Sequence, residues 1–191
     1  MGILALQGDV AEHRRALRDC GIEPREVRTA AELEAVDGLV LPGGESTTLL
    51  KLIDRYELRD PLVKRIQGGM AVLATCAGAI ILATRVSDGE TPLGVLDITV
   101  TRNAYGTQRD SFEADLDVAG VGRVRAAFIR APVFEATGEG VEVLATWDGH
   151  PVVVRSGAIL GLAFHPEITG TPVLHRYFLD SVLDTTGRGG A

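Results

Sequence analysis

Short apolar runs alternate with amphipathic stretches along the first half of the chain. Each apolar run ends at a glycine or a polar turn, and the stretches between them carry apolar residues near helical spacing. The pattern predicts strands over 3–7, 23–27 and 70–75, and over 38–44 a strand that runs into a Gly-rich turn. It predicts helices over 9–19, 29–36, 46–58 and 77–83. This strand–turn–helix repetition is typical of a mostly parallel sheet with helices on both faces.

Helix-capping residues support two of these helices. Thr29 is followed three residues later by Glu32, which is the spacing of a capping box. Ser46 and Thr47 both have the side chain of a helix N-cap, and we expect one of them to cap the helix over 46–58.

After about residue 90 the pattern changes to strand-like segments with partial alternation, which favours antiparallel pairing. A helix over 171–183, with Pro172 near its first turn, closes the chain. No linker or internal repeat divides the sequence, so residues 1–191 are interpreted as one domain. The predicted strands of this half are 94–102, 111–118, 123–130, 141–147 and 151–164, the last with a tight turn at 155–157.

Composition and charge narrow the possible partners. Hydrophobic residues make up 46% of the 191 residues and charged residues 24%, as in ordinary globular proteins. The net charge of -7 and the lack of a basic patch argue against nucleic acid. No apolar run approaches the ~20 residues of a membrane span, and the N-terminus does not resemble a secretory signal. We therefore expect a cytoplasmic protein without a membrane role.

Cys76 stands at the junction between the strand over 70–75 and the helix over 77–83. A sharp turn there exposes the side chain at the carboxyl end of the sheet, and a helix N-terminus favours the thiolate. The small pair Ala77 and Gly78 permits such a turn. An inert cysteine buried in the core fits the same residues, so Cys76 alone does not decide between the two interpretations.

A base for Cys76 is offered by His165, with Glu167 two residues later at the end of an apolar strand. Residues i and i+2 of a strand point to the same side, so the carboxylate could orient the imidazole. A solvated strand end with an incidental His and Glu is the alternative. His13 and His175 on predicted helices, and His150 in a turn, are better explained by surface or packing roles.

Gly43 and Gly44 form a strand-to-helix turn at the same edge of the sheet. Glycines let backbone N–H groups approach a ligand and could stabilise an oxyanion, although an ordinary turn explains them too. Arg102 and Arg130 end predicted strands, and either guanidinium could bind the α-carboxylate of an amino acid. Surface salt bridges are the simpler explanation for each arginine alone.

Together, these features resemble the class I, triad-type glutamine amidotransferases. Within that class, the segments "ALQGDVAEH", "LVLPGGESTT", "ATCAGAI", "RNAYGTQRDSFEADL", "FIRAP" and "FHPE" are similar to the glutaminase subunit family of pyridoxal 5′-phosphate synthase. The matching segments run in the family's order from residue 5 to 167. One departure is Ala74, where the family usually has glycine two places before the cysteine.

The resemblance implies a three-layer, flavodoxin-like α/β fold and assigns roles to residues. Cys76 becomes the nucleophile, His165 the general base and then acid, and Glu167 the residue that orients His165. The resemblance requires no metal and no cofactor. The implied L-glutamine site comprises Gly44, Glu45, Ser46, Arg102, Ile129 and Arg130, and the implied oxyanion hole comprises Gly43, Gly44 and Ala77.

The implied activity is hydrolysis of L-glutamine to glutamate and ammonia through a glutamyl thioester. Family members pass the ammonia to a separate (β/α)₈-barrel synthase subunit in a hetero-oligomeric complex for vitamin B6 biosynthesis. The segment after Gln7 is a candidate docking surface for that subunit. Two alternatives stay open: a class I glutaminase that serves another synthase, and a catalytically silent scaffold subunit.

Overall fold

A seven-stranded mixed sheet forms the centre of the molecule in the computed structural model, which describes residues 1–87, 89–102 and 111–183. The strands, in chain order, are β1 (Gly2–Leu4), β2 (Arg25–Val27), β3 (Gly38–Leu41), β4 (Ala71–Thr75), β5 (Ala83–Val86), β6 (Leu96–Thr101), β7 (Ser111–Val118), β8 (Gly122–Ile129), β9 (Val133–Thr137), β10 (Glu142–Trp147), β11 (His150–Ser156) and β12 (Ile159–Leu162). The order in the central sheet is β10-β11-β12-β4-β3-β1-β2.

The five strands from β12 to β2 are parallel, and β11 and β10 extend the sheet in antiparallel fashion. Along the chain, the parallel part therefore has the flavodoxin-like order 2-1-3-4-5, with β12 as the fifth strand. The predicted fold class is confirmed. In this order, ligands are expected at the carboxyl ends of the strands, near the point between β1 and β3 where the direction of winding reverses.

Helices connect the parallel strands and close the fold. They are α1 (Val10–Asp19), α2 (Ala30–Glu34), α3 (Ser46–Arg55), α4 (Arg59–Gln67), α5 (Ala77–Leu82) and α6 (Val173–Phe178), and α6 continues as a π-helical segment over Leu179–Leu183. Helix α1 packs against α6, whereas α3 packs against α5. Because right-handed crossovers that wind in opposite directions lie on opposite faces, α1 and α3 cover different sides of the sheet.

The second half of the chain adds two small sheets. In β5-β6-β9, β5 is parallel and β9 antiparallel to β6, and β7-β8 is an antiparallel hairpin. An aromatic cluster attaches the hairpin to the core. Phe112 stacks on Phe128 with ring centroids 4.7 Å apart, and Phe128 lies 5.3 Å from Phe164. The end of β8 is thereby held beside the segment that follows β12, and both segments contribute to the site described below.

Several predicted elements differ from the structure. The helix predicted over 46–58 ends at Arg55, because Glu57 has a positive φ of 56°, and the unpredicted helix α4 follows it. Strands β5 and β9 were also not predicted. The closing helix is shorter than predicted at its start, and Pro172 is its N-cap. Residues 103–110, which carry much of the "RNAYGTQRD" segment, lie outside the described residues.

The predicted capping box at Thr29 and Glu32 is present, with both reciprocal hydrogen bonds made. The predicted cap of α3 is wrong in its residue. Glu45, rather than Ser46 or Thr47, is the N-cap, and its carboxylate accepts hydrogen bonds from the amides of Thr47 at 3.2 Å and Thr48 at 2.7 Å. A carboxylate suits this position because the helix dipole is positive there.

Candidate active site

Cys76 occupies a strained turn between β4 and α5. Its backbone has φ 46° and ψ -106°, a conformation that non-glycine residues seldom adopt. Helix α5 begins immediately after it and packs so closely that a Cβ on Gly78 would lie 2.1 Å from the carbonyl oxygen of Leu41. The predicted turn is thus present, and the close packing of Gly78 fixes where it presents the thiol.

Ala74, the departure from the family pattern, is fully buried in β4. Its partner in register on β12 is Gly161, so no side chain on that strand faces the extra methyl group. Cys76 keeps its positive φ with alanine in place. The strand accommodates Ala74 without loss of the turn.

His165 lies beyond the end of β12, where its amide donates to the carbonyl oxygen of Ala127 at 2.9 Å. Its Nδ1 is 2.8 Å from Oε1 of Glu167. The predicted pairing is therefore present, but its predicted cause is wrong: the two residues lie in a turn, not on one face of a strand. An Nδ1–H that donates to Glu167 leaves Nε2 as the nitrogen available to a thiol.

A second carboxylate approaches the same imidazole nitrogen from the loop after β1, with Asp9 Oδ2 at 3.2 Å. Burial lowers the pKa of the imidazole, but its hydrogen bonds to Asp9, Cys76 and Glu167 outweigh burial and raise the pKa above the ordinary value. Burial also raises the pKa of Glu167, and His165 opposes that shift. These surroundings favour an imidazolium, the form that stabilises a neighbouring thiolate.

A cavity of about 350 Å³ opens beside Cys76 and His165. All six residues that the resemblance assigned to glutamine border it, and they come from three separate parts of the chain. They are Gly44, Glu45, Ser46, Arg102, Ile129 and Arg130. Arg130, like Cys76, has a positive φ, 47°, so backbone strain occurs on two walls of the cavity.

The residues predicted to form the oxyanion hole lie around the side chains of Cys76 and His165. The Gly43 carbonyl accepts a hydrogen bond from the Asp9 amide at 3.1 Å, so in the trans peptide the Gly44 N–H points the opposite way. A Cβ on Gly43 would lie 2.4 Å from Cε1 of His165. Ala77 is the first residue of α5, where an N–H lacks an intrahelical acceptor.

Glu45 and Arg102 meet in the wall of the cavity. Arg102 Nη2 lies 3.4 Å from Glu45 Oε1, and its Nη1 lies 2.9 Å from Oε1 of Glu90. Hydrogen bonds, first from the Thr48 side chain and then from the backbone, lower the pKa of Glu45 to about 2. The carboxylate is therefore ionised at neutral pH and keeps the guanidinium in the cavity wall.

Sequence reasoning missed several residues of the site. Gln7 borders the cavity, and its Oε1 accepts from the Glu45 amide at 3.1 Å. Asp9 and Glu90 contact His165 and Arg102 from loops, and the course of a loop cannot be predicted from hydrophobic periodicity. The segment after Gln7 did give a signal, because it was predicted as a candidate docking surface, and its Asp9 borders the same cavity as Cys76.

Two further histidines lie in the core near the site. His13 and His175 are both fully buried, so neither is a surface residue. Within the described residues, Asp9, His165 and Glu167 bring ligand-type atoms within 4.8 Å of one another. Those atoms are the ones that already share the Nδ1 hydrogen of His165.

No helix in the described ranges is long and apolar enough to cross a membrane.

A cysteine at a strand–helix turn, faced by a histidine and a glutamate at the carboxyl edge of a flavodoxin-like sheet, is the arrangement of class I glutamine amidotransferases. The comparison with known families agrees. Residues 3–184 match the model of the SNO glutamine amidotransferase family, and the chain belongs to that family.

Curated relatives are similar over nearly their whole length. The pyridoxal 5′-phosphate synthase subunit PdxT of Mycobacteroides abscessus is 53% identical, over 95% of this chain and 96% of that protein. PdxT of Thermotoga maritima is 50% identical, over 95% of this chain and 98% of that protein. A crystal structure described as a glutamine amidotransferase superposes with a TM-score of 0.91 at 50% identity, over 97% of this chain and 98% of its own. At 18% identity and a TM-score of 0.73, PurLQS of Thermotoga maritima shares the fold, over 96% of this chain and 97% of its own.

Proposed function

We propose that this protein hydrolyses L-glutamine to glutamate and ammonia, and supplies the ammonia to a synthase subunit that makes pyridoxal 5′-phosphate. The observation that carries the proposal is the single cavity bordered by Cys76, His165 and all six expected glutamine positions. The names of the PdxT relatives support the biosynthetic role. We infer that residues 1–191 act as one glutaminase domain.

In the first chemical step, the Cys76 thiolate attacks the side-chain amide carbon of glutamine. The negative charge moves to the amide oxygen, where the N–H groups near Gly43, Gly44 and Ala77 stabilise it. When the C–N bond breaks, the His165 imidazolium donates its proton to the leaving nitrogen, which departs as ammonia. A glutamyl thioester on Cys76 remains.

In the second step, neutral His165 removes a proton from water, and the water oxygen attacks the thioester carbon. The C–S bond breaks, glutamate leaves, and the thiolate–imidazolium pair is restored. Glu167 keeps the Nδ1–H of His165 in place through both steps, so the same Nε2 serves first as acid and then as base.

The charges around the cavity suit a zwitterionic amino acid. Arg102 can form a bidentate pair with the α-carboxylate, and Arg130 borders the same space from the end of β8. Glu45 is placed to accept from the α-ammonium group. In the structure Arg102 already contacts Glu45, so substrate would exchange part of this ion pair for its own two charges.

The relatives are named as synthase subunits, which supports a partner that consumes the ammonia. We propose that this partner is the (β/α)₈-barrel subunit. Free ammonia is mostly protonated at neutral pH and then lacks a lone pair for attack, so a covered path is needed. Both cysteines, Cys20 and Cys76, are free thiols, which is consistent with a cytoplasmic location.

The test is glutamate release from L-glutamine, measured with and without purified synthase subunit. Wild type with the subunit should release glutamate, Cys76→Ala should not, and the matched control Cys20→Ala should behave as wild type. Full activity in Cys76→Ala would refute the mechanism. A complex that forms but never releases glutamate would instead indicate a scaffold subunit.

A further inference from the structure

Behind Glu167, on the side away from the cavity, three polar residues from different elements meet in the core. His13 of α1, His175 of α6 and Thr75 of β4 are each fully buried. None of them has a role in the chemistry derived above. Buried polar groups are costly unless they find partners, so the partners of these three are informative.

The three side chains and Glu167 form a continuous chain of contacts. Nδ1 of His13 lies 2.9 Å from Nε2 of His175, and Nε2 of His13 lies 3.1 Å from the Thr75 hydroxyl oxygen. The same Nε2 lies 3.5 Å from Oε1 of Glu167, the oxygen that accepts from His165. His13 thus stands directly between the carboxylate and His175.

One direction of donation suits this chain of contacts better than the other. If His13 carries its hydrogen on Nε2, that N–H faces the carboxylate and the hydroxyl, and Nδ1 accepts from Nε2–H of His175. In the opposite direction the Thr75 hydroxyl could donate to Nε2, but the Nε2 lone pair would also lie 3.5 Å from a carboxylate oxygen. That direction would also leave an N–H on His175 Nδ1, an atom with no hydrogen-bond partner among the described residues. A buried unpaired donor is expensive, so the first arrangement is favoured.

We propose that His13 is a positioning residue for glutamine hydrolysis: its Nε2–H, held in that tautomer by His175, fixes the Glu167 carboxylate that orients His165. The proposal rests on the proposed function. Oε2 of Glu167 has no hydrogen-bond partner in the described part of the chain. Oε1 therefore carries the positioning contacts, with His165 in front and His13 behind.

The contact also accounts for how Glu167 stays aligned when Asp9 competes for the same imidazole nitrogen. Asp9 Oδ2 lies 3.2 Å from Nδ1 of His165, only slightly farther than Oε1 of Glu167 at 2.8 Å. A buried N–H that lies 3.5 Å behind the carboxylate favours its present position when the imidazole moves toward Asp9. His13 thus favours the pairing of His165 with Glu167 over its pairing with Asp9.

The direct test is the tautomer of each histidine, read from the ring ¹⁵N signals of ¹⁵N-histidine-labelled wild type. The sequence has only four histidines, which makes assignment by single substitution practical. His13 and His175 should both be neutral and protonated at Nε2. A hydrogen on Nδ1 of His13 would overturn the proposal, with or without any measured activity.

The kinetic test uses His13→Leu, His13→Gln and the control Leu17→Ala, assayed with the synthase subunit. Leu17 lies one turn along α1 and is fully buried, so its truncation weakens packing without removing a polar partner of Glu167. We expect His13→Leu to lower kcat by about 10- to 100-fold with little change in KM. Losses of this size are typical when a residue that orients a metal-ligating side chain is replaced. His13→Gln, which retains an N–H donor, should recover at least part of the loss.

Equal losses of kcat in His13→Leu and Leu17→Ala, at matched thermal stability, would show that His13 contributes only packing and would refute the proposal. Retention of wild-type kcat in folded His13→Leu would do the same. If His13→Leu does not fold, the tautomer measurement still decides. If wild type itself releases no glutamate, the proposed function fails, while the tautomer prediction stands or falls separately.

Discussion

The two sides of the His165 imidazole are built in opposite ways. Toward the cavity lie charged groups on loops that follow the strands, such as Asp9 and Glu45, which remain partly exposed. Toward the core lie Glu167, His13 and His175, which are buried and come from a turn and two helices. The open side is suited to exchange its ion pairs for substrate, and the closed side is suited to hold one geometry.

The difference predicts which kinetic constant a substitution changes. Changes on the closed side should lower kcat, because they disturb the orientation of His165, and changes in cavity charges should raise KM.

The largest effect is expected for Glu167→Gln on the closed side. A neutral amide no longer holds the Nδ1–H tautomer of His165, and the corresponding change in a serine protease triad costs about 10⁴ in kcat. We expect a loss of about 10³- to 10⁴-fold in kcat with KM nearly unchanged, from steady-state glutamate release. Exposed Glu135 on β9 supplies the control Glu135→Gln, which should act as wild type. A loss confined to KM would contradict the division between the two sides.

Gly43→Ala tests the open side by steric contact. The new Cβ would stand 2.4 Å from Cε1 of His165 and 2.9 Å from Oδ2 of Asp9, so the imidazole or the loop must move. Displacement of a catalytic group by about 1 Å can cost 10²-fold, and we expect at least that loss in kcat/KM. Gly69→Ala is the control, because no atom lies within 4 Å of its Cβ position. Near-normal activity of Gly43→Ala would mean that the loop yields freely.

The buried imidazoles predict a pH dependence of stability. Burial lowers the pKa of His175 from 6.5 to about 4, so the unfolded chain binds this proton first. The contribution to stability is therefore complete above pH 6.5 and is lost as pH falls toward 4. The full shift corresponds to on the order of 3 kcal/mol.

Thermal unfolding across pH 7.5 to 4.5 should therefore show a steeper loss of stability in wild type than in His175→Phe. Leu174→Ala, a buried neighbour on α6, should be less stable but keep the wild-type slope. Identical slopes for wild type and His175→Phe would show that this histidine is not buried in its neutral form.

The smallest effect is expected for Arg102→Lys. Lysine keeps the positive charge but cannot make a bidentate pair with a carboxylate. Loss of one charge-assisted hydrogen bond should raise KM for glutamine about 10-fold and leave kcat almost unchanged. Arg85→Lys, at an exposed arginine on β5 that contacts Thr99, is the control. An unchanged KM in Arg102→Lys would show that Arg102 does not bind the α-carboxylate of the substrate.

The sequence predicted the parallel half well because its strands are short apolar runs separated by helices with clear apolar faces. Helix α4 escaped detection because only Leu62 and Ile66 within it are buried, which is too few to create a strong helical period. Strand β9 escaped because it is a short edge partner of β6 alone. Such elements depend on tertiary pairing, which local pattern does not record.

The sequence predicted which residues meet at the site, and predicted less well how they meet. Cys76, His165 and Glu167 were identified, yet the histidine and glutamate meet through a turn and not along a strand. His13 and His175 were assigned to surface or packing roles, because 162 residues of sequence separate two rings that the fold brings to 2.9 Å. Contacts between distant helices of this kind are not visible in residue spacing.

The carboxylate of Glu45 caps α3 and also forms part of the cavity wall. The same oxygen atoms therefore have two roles. A ligand that draws this carboxylate toward itself weakens the hydrogen bonds to the Thr47 and Thr48 amides. Occupancy of the cavity and opening of the first helical turn are then linked equilibria. Hydrogen exchange at these two amides would consequently report glutamine binding, even in an enzyme that cannot turn over.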